Sequence, residues 1–290
     1  MVILVSGATG FLGKNLISKL VKNHSLLIFS TGKSKINPRK IIKSKKIFYC
    51  DLSNYQNKIK QHKPKIFLNL QVRFSYYHDE TILKEMVNSN LSIPINLLQC
   101  AAENGLKRLI SPTTFVAFDK NRKYNPANVF AGTKQAFAVL ADSLARIFQF
   151  QFDEVIMFDT FGENDNRKKI LNIFAESIKN NKKLSLSPGN QMLDITHIDT
   201  IVSGFANLIN KKIKNKYSKN IYFASGLNRL TLKNLAKLIE KCSNKKLYAN
   251  WGALNYRKNE VLSPVKVIKK LNICKKENLK KKINIFLKKY

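Results

Sequence analysis

The sequence predicts an α/β fold: a doubly wound parallel sheet followed by a smaller, mixed α/β C-terminal lobe. Three observations carry this expectation. Short apolar runs alternate with amphipathic stretches through the first half of the chain, glycines stand at 7, 10 and 13 directly after the first run, and the rhythm shortens after about Gly162. Strands covered on both faces read as continuous apolar runs, and parallel strands need crossover connections that helices supply.

Taken in order, VILVS, SLLIF, KIFYC, KIFLNL, RLIS and DEVIMF read as the strands. Residues 11–23, 80–104 and 129–148 carry apolar residues at helical spacing. Pro94 falls inside the second of these and predicts a kink, because proline lacks a backbone donor and clashes one turn back. Beyond Gly162 the sequence predicts a basic helix over 168–180, the stretch LSLSPGNQMLDITHID, a helix to Ile209, a strand in NIYFASG and a helix from Thr231. The Lys-rich tail from Ser263 reads as surface helices. The expected division is residues 1–162 for the first domain and 163–290 for the second lobe, with segments near 190–225 returning to the first. No Gly/Ser linker separates them, so they are expected to share a cleft.

Composition narrows the classes. A chain of 290 residues with 44% hydrophobic content can bury a sizeable core. It has no apolar run long enough for a membrane span and no signal-peptide pattern at its start, so a soluble, cytoplasmic protein with no membrane partner is expected. Cys50, Cys100, Cys242 and Cys274 form no CxxC pair and read as packing residues; no metal site is expected. The charge of +34, from 52 basic and 18 acidic residues, is extreme. Most of the basic residues are Lys, accompanied by abundant Asn and Ile, without the Arg forks and interleaved aromatics of a nucleic-acid groove. No specific nucleic-acid partner is expected, although such a field attracts anionic small molecules.

The segment SGATGFLG joins the first strand to the first helix. Gly7 permits the tight turn, Gly10 a close approach of backbone to a pyrophosphate, and Gly13 close packing of helix on strand. Phosphates would lie at the positive helix N-terminus, beside Phe11 and Leu12. This is the fingerprint of a Rossmann dinucleotide site. At the end of the second strand, IFSTGKSK has no acid for ribose hydroxyls; Ser30, Thr31, Lys33 and, further on, Arg39 suit a 2′-phosphate, which favours NADP and leaves NAD open. Asp51 and Leu52 are candidates to border the adenine. Leu70 and Gln71 are candidates to line the path to the nicotinamide.

The spacing of GATGFLG, SPTT at 111–114 and FAGTK at 130–134 resembles the extended short-chain dehydrogenase/reductases, of the NAD-dependent epimerase/dehydratase type, that act on nucleotide sugars. The resemblance implies a hydroxyl residue at the end of the fifth strand and a Tyr-x-x-x-Lys on the next helix. Lys134 matches the Lys and Thr113 the hydroxyl residue, with Thr114 a near alternative. Phe130 stands at the Tyr position, so the general acid is missing there; such groups contribute about a hundredfold to ten-thousandfold. The segments NVFAGTKQAF, VIMFDTFGENDNRKK, LSLSPGNQMLDITHID and WGALNYRKNEV are similar to those of small reductases of CDP- or dTDP-linked 4-keto-deoxysugars, of the CDP-paratose and CDP-abequose synthase type. That similarity implies NADP-dependent ketoreduction for cell-surface polysaccharide synthesis and a homodimer built from helices 80–104 and 129–148. It implies a nucleotide-sugar site in the C-terminal lobe, with Arg167 as a phosphate anchor beside Lys168 and Lys169, and Arg257 as a second. On the loop after the fourth strand, Arg73, His78, Tyr76 and Tyr77 are candidates to face the sugar. His197 and Trp251 read as structural. Phe161 and Gln71 depart from the residues usual in the family.

Three accounts of Phe130 stay open at this point: an engineered change in an active reductase, a natural enzyme with another proton source such as Thr113, a tyrosine or water, and a non-catalytic nucleotide-sugar-binding protein. A nucleotide-sugar epimerase or dehydratase that retains NAD is the nearest enzymatic alternative. A dehydratase would also want an Asp-Glu pair where this chain reads TTFVAF.

Overall fold

The computed structural model describes residues 1–34, 36–77 and 79–290. In chain order the elements are β1 (Val2–Ser6), α1 (Phe11–Leu20), β2 (Ser25–Phe29), β3 (Ile47–Cys50), α2 (Tyr55–His62), β4 (Ile66–Asn69), α3 (Glu80–Val87), α4 (Ile93–Glu103), β5 (Arg108–Thr114), α5 (Val129–Phe148), β6 (Gln151–Met157), β7 (Asp159–Phe161), α6 (Ile170–Asn180), β8 (Leu184–Leu186), β9 (Met192–His197), α7 (Ile198–Ile209), β10 (Ser218–Ala224), β11 (Arg229–Thr231), α8 (Leu232–Ser243), β12 (Ala249–Trp251) and α9 (Leu279–Leu287).

Seven strands form one sheet in the order β10-β6-β5-β4-β1-β2-β3, parallel throughout. This is the doubly wound sheet the sequence predicts. Its strand order reverses between β1 and β4, and a crevice opens at the carboxyl ends of the strands at such a point. Side chains alternate across the sheet. Ile3, Val5, Leu26, Ile28 and Leu68 pack with α1 and α7 on one face, while Leu4, Leu27, Phe67, Leu109 and Phe152 pack with α4 and α5 on the other. The edge strand β10 comes from the second half of the chain. The remaining lobe packs α6, α8 and α9 around Phe161, Phe174, Leu235, Ile239, Ile283 and Phe286, with two small sheets, β11-β9-β7 and β12-β8.

Three local differences from the sequence reading have clear causes. The fifth strand runs past RLIS to Thr114, and Pro112 is tolerated in it: β4 pairs β5 only as far as Ile110, so no partner on that side awaits the missing N–H. The stretch 80–104 is interrupted not at Pro94 but just before it, by a π turn over Asn88–Ser92, which leaves Pro94 in the first turn of α4 where its missing donor costs nothing. The tail holds one α-helix, α9, and a single 3-10 turn over Lys269–Leu271, and otherwise runs as irregular chain. Val265 packs on Ile156, Phe158 and Phe223 at the sheet edge, and the Arg229 guanidinium donates to the Pro264 and Val265 carbonyls. No described helix is long and apolar enough to cross a membrane.

Candidate active site

Five strand ends and two helix N-termini build the crevice. At the exit of β1, Gly7 has φ +74, and a Cβ there would collide with the Leu70 backbone and lie 2.5 Å from the Gln71 nitrogen. The β1 and β4 exits therefore touch, which only a residue without a side chain allows. The Gly10 amide donates to the Gly7 carbonyl at 3.1 Å, and Gly10 caps α1 with no side-chain acceptor. The first amides of α1 keep their donors for an anion. A Cβ on Gly13 would run into the Gly7 carbonyl oxygen and stand 2.7 Å from that of Ala8. This cradle fits a dinucleotide pyrophosphate. Phe11 and Leu12, in the first turn of α1, are half-buried against the core.

The candidates for the adenosine end cluster at the ends of β2 and β3. The Ser30 hydroxyl accepts from the Gly32 amide and the Thr31 hydroxyl from the Lys33 amide, so both shape the loop. Lys33 is exposed, and the Arg39 guanidinium lies 5.0 Å from the Tyr49 ring centroid. Asp51 accepts from the Ser53 hydroxyl at 2.6 Å and its amide at 2.9 Å, and these bonds hold its carboxyl below the usual range. Leu52 is exposed beside it. Leu70 backs Gly7, and Gln71 donates to the Ser89 carbonyl at 2.9 Å.

At the centre, β5 presents Thr113 on the face that carries Leu109 and packs against α5, by strand alternation. Thr113 is 5% exposed, and its hydroxyl has no hydrogen-bond partner among the described residues. Thr114 points to the opposite face and is half-buried. Asn128 caps α5 by accepting from the Ala131 amide at 2.9 Å, which starts the helix just before Phe130. Lys134 is one turn further on, 5% exposed. Burial pulls its ammonium down to about 8, against the raising influence of Glu154. The Phe130 ring meets the Phe74 ring edge-on, with centroids 5.1 Å apart.

The substrate-side candidates are placed less uniformly. The Arg73 guanidinium is held by Glu85 at 3.0 Å, and Arg167 is bound by both carboxylate oxygens of Asp165, at 2.7 and 2.8 Å, and by Thr160. Arg167 also lies over the Phe11 ring, 4.4 Å from its centroid, at the mouth of the glycine loop. Arg257 reaches across the crevice to stack on Tyr76 at 4.0 Å. Tyr76 packs edge-on against Phe74, and Lys169 stands 5.9 Å above Phe74. A continuous chain of rings and cations thus runs from α5 to the C-terminal lobe. His78 lies outside the described residues. His197 is fully buried, accepts from the Asp199 amide at 3.3 Å to cap α7, and faces Glu163 and Asp199. No described group of three or more His, Cys, Asp or Glu side chains could hold a metal.

Sequence reasoning missed four residues. Asn90, wholly buried in the π turn, bonds both backbone groups of Arg73 and donates to Thr133, so it ties the loop after β4 to α5. Phe74 is the ring partner of Phe130. Asp159, at the start of β7, has its carboxyl raised by burial against the lowering influence of Lys169 and Arg167. Glu154 lies under α5. Only an Asn inside a helical pattern and acids inside apolar strands marked them out.

Comparison with known proteins gives the family. Residues 3–222 match the NAD dependent epimerase/dehydratase family. A CDP-abequose synthase of Yersinia pseudotuberculosis is 24% identical, covering 91% of this chain and 92% of its own; one of Salmonella muenchen is 25% identical over 90% and 87%. Among solved structures, a tyrosine-to-phenylalanine mutant of UDP-glucuronic acid 4-epimerase from Bacillus cereus, bound to a fluorinated UDP-sugar and NAD, superposes with a TM-score of 0.86 at 18% identity, covering 99% of this chain and 98% of that one. A dTDP-glucose 4,6-dehydratase from Streptomyces venezuelae gives 0.82 at 13% identity, over 99% and 96%. A glycine cradle at the switch point and a buried lysine one turn into the helix after β5 thus come with a match over most of the chain, and the protein belongs to the NAD dependent epimerase/dehydratase family, an enzyme family that works through a nicotinamide cofactor.

Proposed function

We propose that this chain is a reductase of a 4-keto deoxysugar carried on a nucleotide, using NADP and acting as a homodimer in cell-surface polysaccharide synthesis. The observation that carries the reading is the burial of two polar groups on elements packed face to face: the Thr113 hydroxyl of β5, without a partner among the described residues, and the Lys134 ammonium of α5, in a sheet that carries a glycine cradle. The names of the two bacterial synthases support the deoxysugar class. The missing acid at the end of β2, with Ser30, Thr31, Lys33 and Arg39 in its place, supports NADP over NAD. Exposed Val139, Leu140, Ile147 and Phe148 on α5, with Leu83 and Val87 on α3, support pairing of two copies through this face.

The chain's own groups divide the work. Gly7, Gly10 and Gly13 with the α1 amides would hold the diphosphate of the cofactor, which when bound supplies the hydride. Lys134 would hold ribose hydroxyls by a charge-assisted bond. The Thr113 hydroxyl would donate to the sugar's carbonyl oxygen, lowering the barrier to negative charge building there. The Phe74 and Phe130 rings would present an apolar wall to a deoxygenated carbon. Phe130 has no proton to give, so turnover in this form is slow and draws its proton from Thr113 or water.

The test is consumption of NADPH and of NADH with a panel of CDP- and dTDP-linked 4-keto sugars. The reading expects slow, NADPH-preferring turnover of a 4-keto deoxysugar. Protein that purifies with bound NAD and interconverts sugars without net oxidation of the cofactor would replace it with an epimerase. Binding without any turnover, even after a hydroxyl is restored at position 130, would replace it with a binding module.

A further inference from the structure

We infer that Gln71 is a positioning residue: its side-chain amide replaces the donor that Pro94 lacks, and through the π turn over Asn88–Ser92 it fixes the start of α5 relative to the glycine cradle. The inference rests on that cradle holding the cofactor. In the π turn the Ile93 amide donates to the Asn88 carbonyl, five residues back. The amide that would next reach the Ser89 carbonyl belongs to residue 94, and proline has none. A partly buried carbonyl left without a donor is costly. Gln71 Nε2 answers it at 2.9 Å. Gln71 is 8% exposed at the exit of β4, and its backbone presses on the cradle, since a Cβ on Gly7 would lie 2.5 Å from the Gln71 nitrogen.

From the π turn the hydrogen bonds run on to α5. Asn90, wholly buried, accepts from the Arg73 amide at 2.7 Å, and its two amide hydrogens go to the Arg73 carbonyl at 2.9 Å and the Thr133 hydroxyl at 3.0 Å. Thr133 in turn donates to the Phe130 carbonyl at 2.8 Å. One amide therefore holds the turn at Ser89, and the next residue carries that hold to the loop after β4 and to the first turn of α5. Both Phe130 and Lys134 sit on that stretch of helix, on either side of Thr133. Remove the Gln71 donor and the Ser89 carbonyl must find water or another turn geometry. The π turn then loosens, Asn90 moves with it, and Lys134 loses its fixed distance from the loop that would hold the cofactor.

The experiment follows amide hydrogen exchange by mass spectrometry, and NADPH binding by fluorescence titration, on the full-length protein. Gln71→Met keeps the bulk of the side chain but removes its donor. Exchange in peptides over 70–77 and 88–93 should speed up about tenfold and NADPH should bind about tenfold more weakly, while the rest of the sheet exchanges as in the wild type. Pro94→Ala gives the turn an amide of its own; combined with Gln71→Met it should return both readouts to within about threefold of the wild type, a rescue that a packing role does not provide. Thr133→Val cuts the chain of bonds at α5 and should weaken NADPH binding to a similar degree, a second route if Gln71→Met fails to fold. Unchanged exchange or unchanged affinity in folded Gln71→Met, a loss that Pro94→Ala does not relieve, or unchanged affinity in Thr133→Val overturns the inference. If wild type binds no nicotinamide cofactor, the proposed function fails, while exchange in Gln71→Met with and without Pro94→Ala still decides whether Gln71 holds the turn.

Discussion

Phe130→Tyr puts a phenol where the site lacks an acid, and the structure sets the size of the expected gain. The Phe130 ring rests edge-on against Phe74 with centroids 5.1 Å apart, a contact that a para-hydroxyl leaves in place. Lys134 follows about one helical turn later, on the same face. A neighbouring ammonium favours the phenolate and pulls the new phenol below its ordinary value, toward working pH, where it donates more efficiently. General acid catalysis of this kind gives about a hundredfold to ten-thousandfold, so an increase of at least about tenfold, 1.4 kcal/mol of barrier, is the minimum the reasoning allows. The assay is steady-state NADPH oxidation with a nucleotide-linked 4-keto sugar from pH 6 to 9. A limb that lies below the ordinary tyrosine range should appear in Phe130→Tyr and be missing in the wild type. If both forms bind the same nucleotide sugar and the rate does not rise, the placement of Phe130 as the vacant acid position is wrong.

Three further outcomes follow from the packing. Gly13→Ala drives a methyl into the Gly7 and Ala8 carbonyls, so calorimetry should show at least a tenfold loss of cofactor affinity or outright loss of folding. Arg108 is wholly buried, paired with Asp153 and donating to the Leu208 carbonyl at 2.9 Å; Arg108→Leu strands the carboxylate and should cost about 3–5 kcal/mol in denaturant unfolding, with part recovered by adding Asp153→Leu. Burial pushes the Cys50 and Cys274 thiols up to about 12, so at pH 8 a mild thiol reagent should modify half-buried Cys100 and Cys242 while sparing those two until denaturant is added.

Much of the scaffold was legible because its signals are local. A buried parallel strand announces itself by an apolar run, and the bounds of α5, from Val129 to Phe148, follow from its own periodicity and its Asn128 cap. The glycine loop was legible for the same reason: each glycine answers a contact within a few residues of chain, Gly7 against Leu70 excepted. Arg73 and Arg167 show where such reading stops. As letters Arg167 was a free cation for a phosphate and Arg73 one to face the sugar; in the fold, Asp165 holds the first and Glu85 the second, so a ligand at either must compete with a carboxylate already in place. Arg257 was placed in the lobe by sequence, and only the folded chain puts it over Tyr76.

By itself, then, the amino-acid sequence determined the parallel sheet, the cofactor cradle and the order in which Thr113, Phe130 and Lys134 arrive, because hydrophobic period and glycine spacing act over a few residues. The tertiary structure decided which polar groups meet: Asp153 on Arg108, Tyr217 on Asp142, Asn90 between Arg73 and Thr133. Those pairings join residues far apart in the chain, and their strength depends on burial, which no local pattern records.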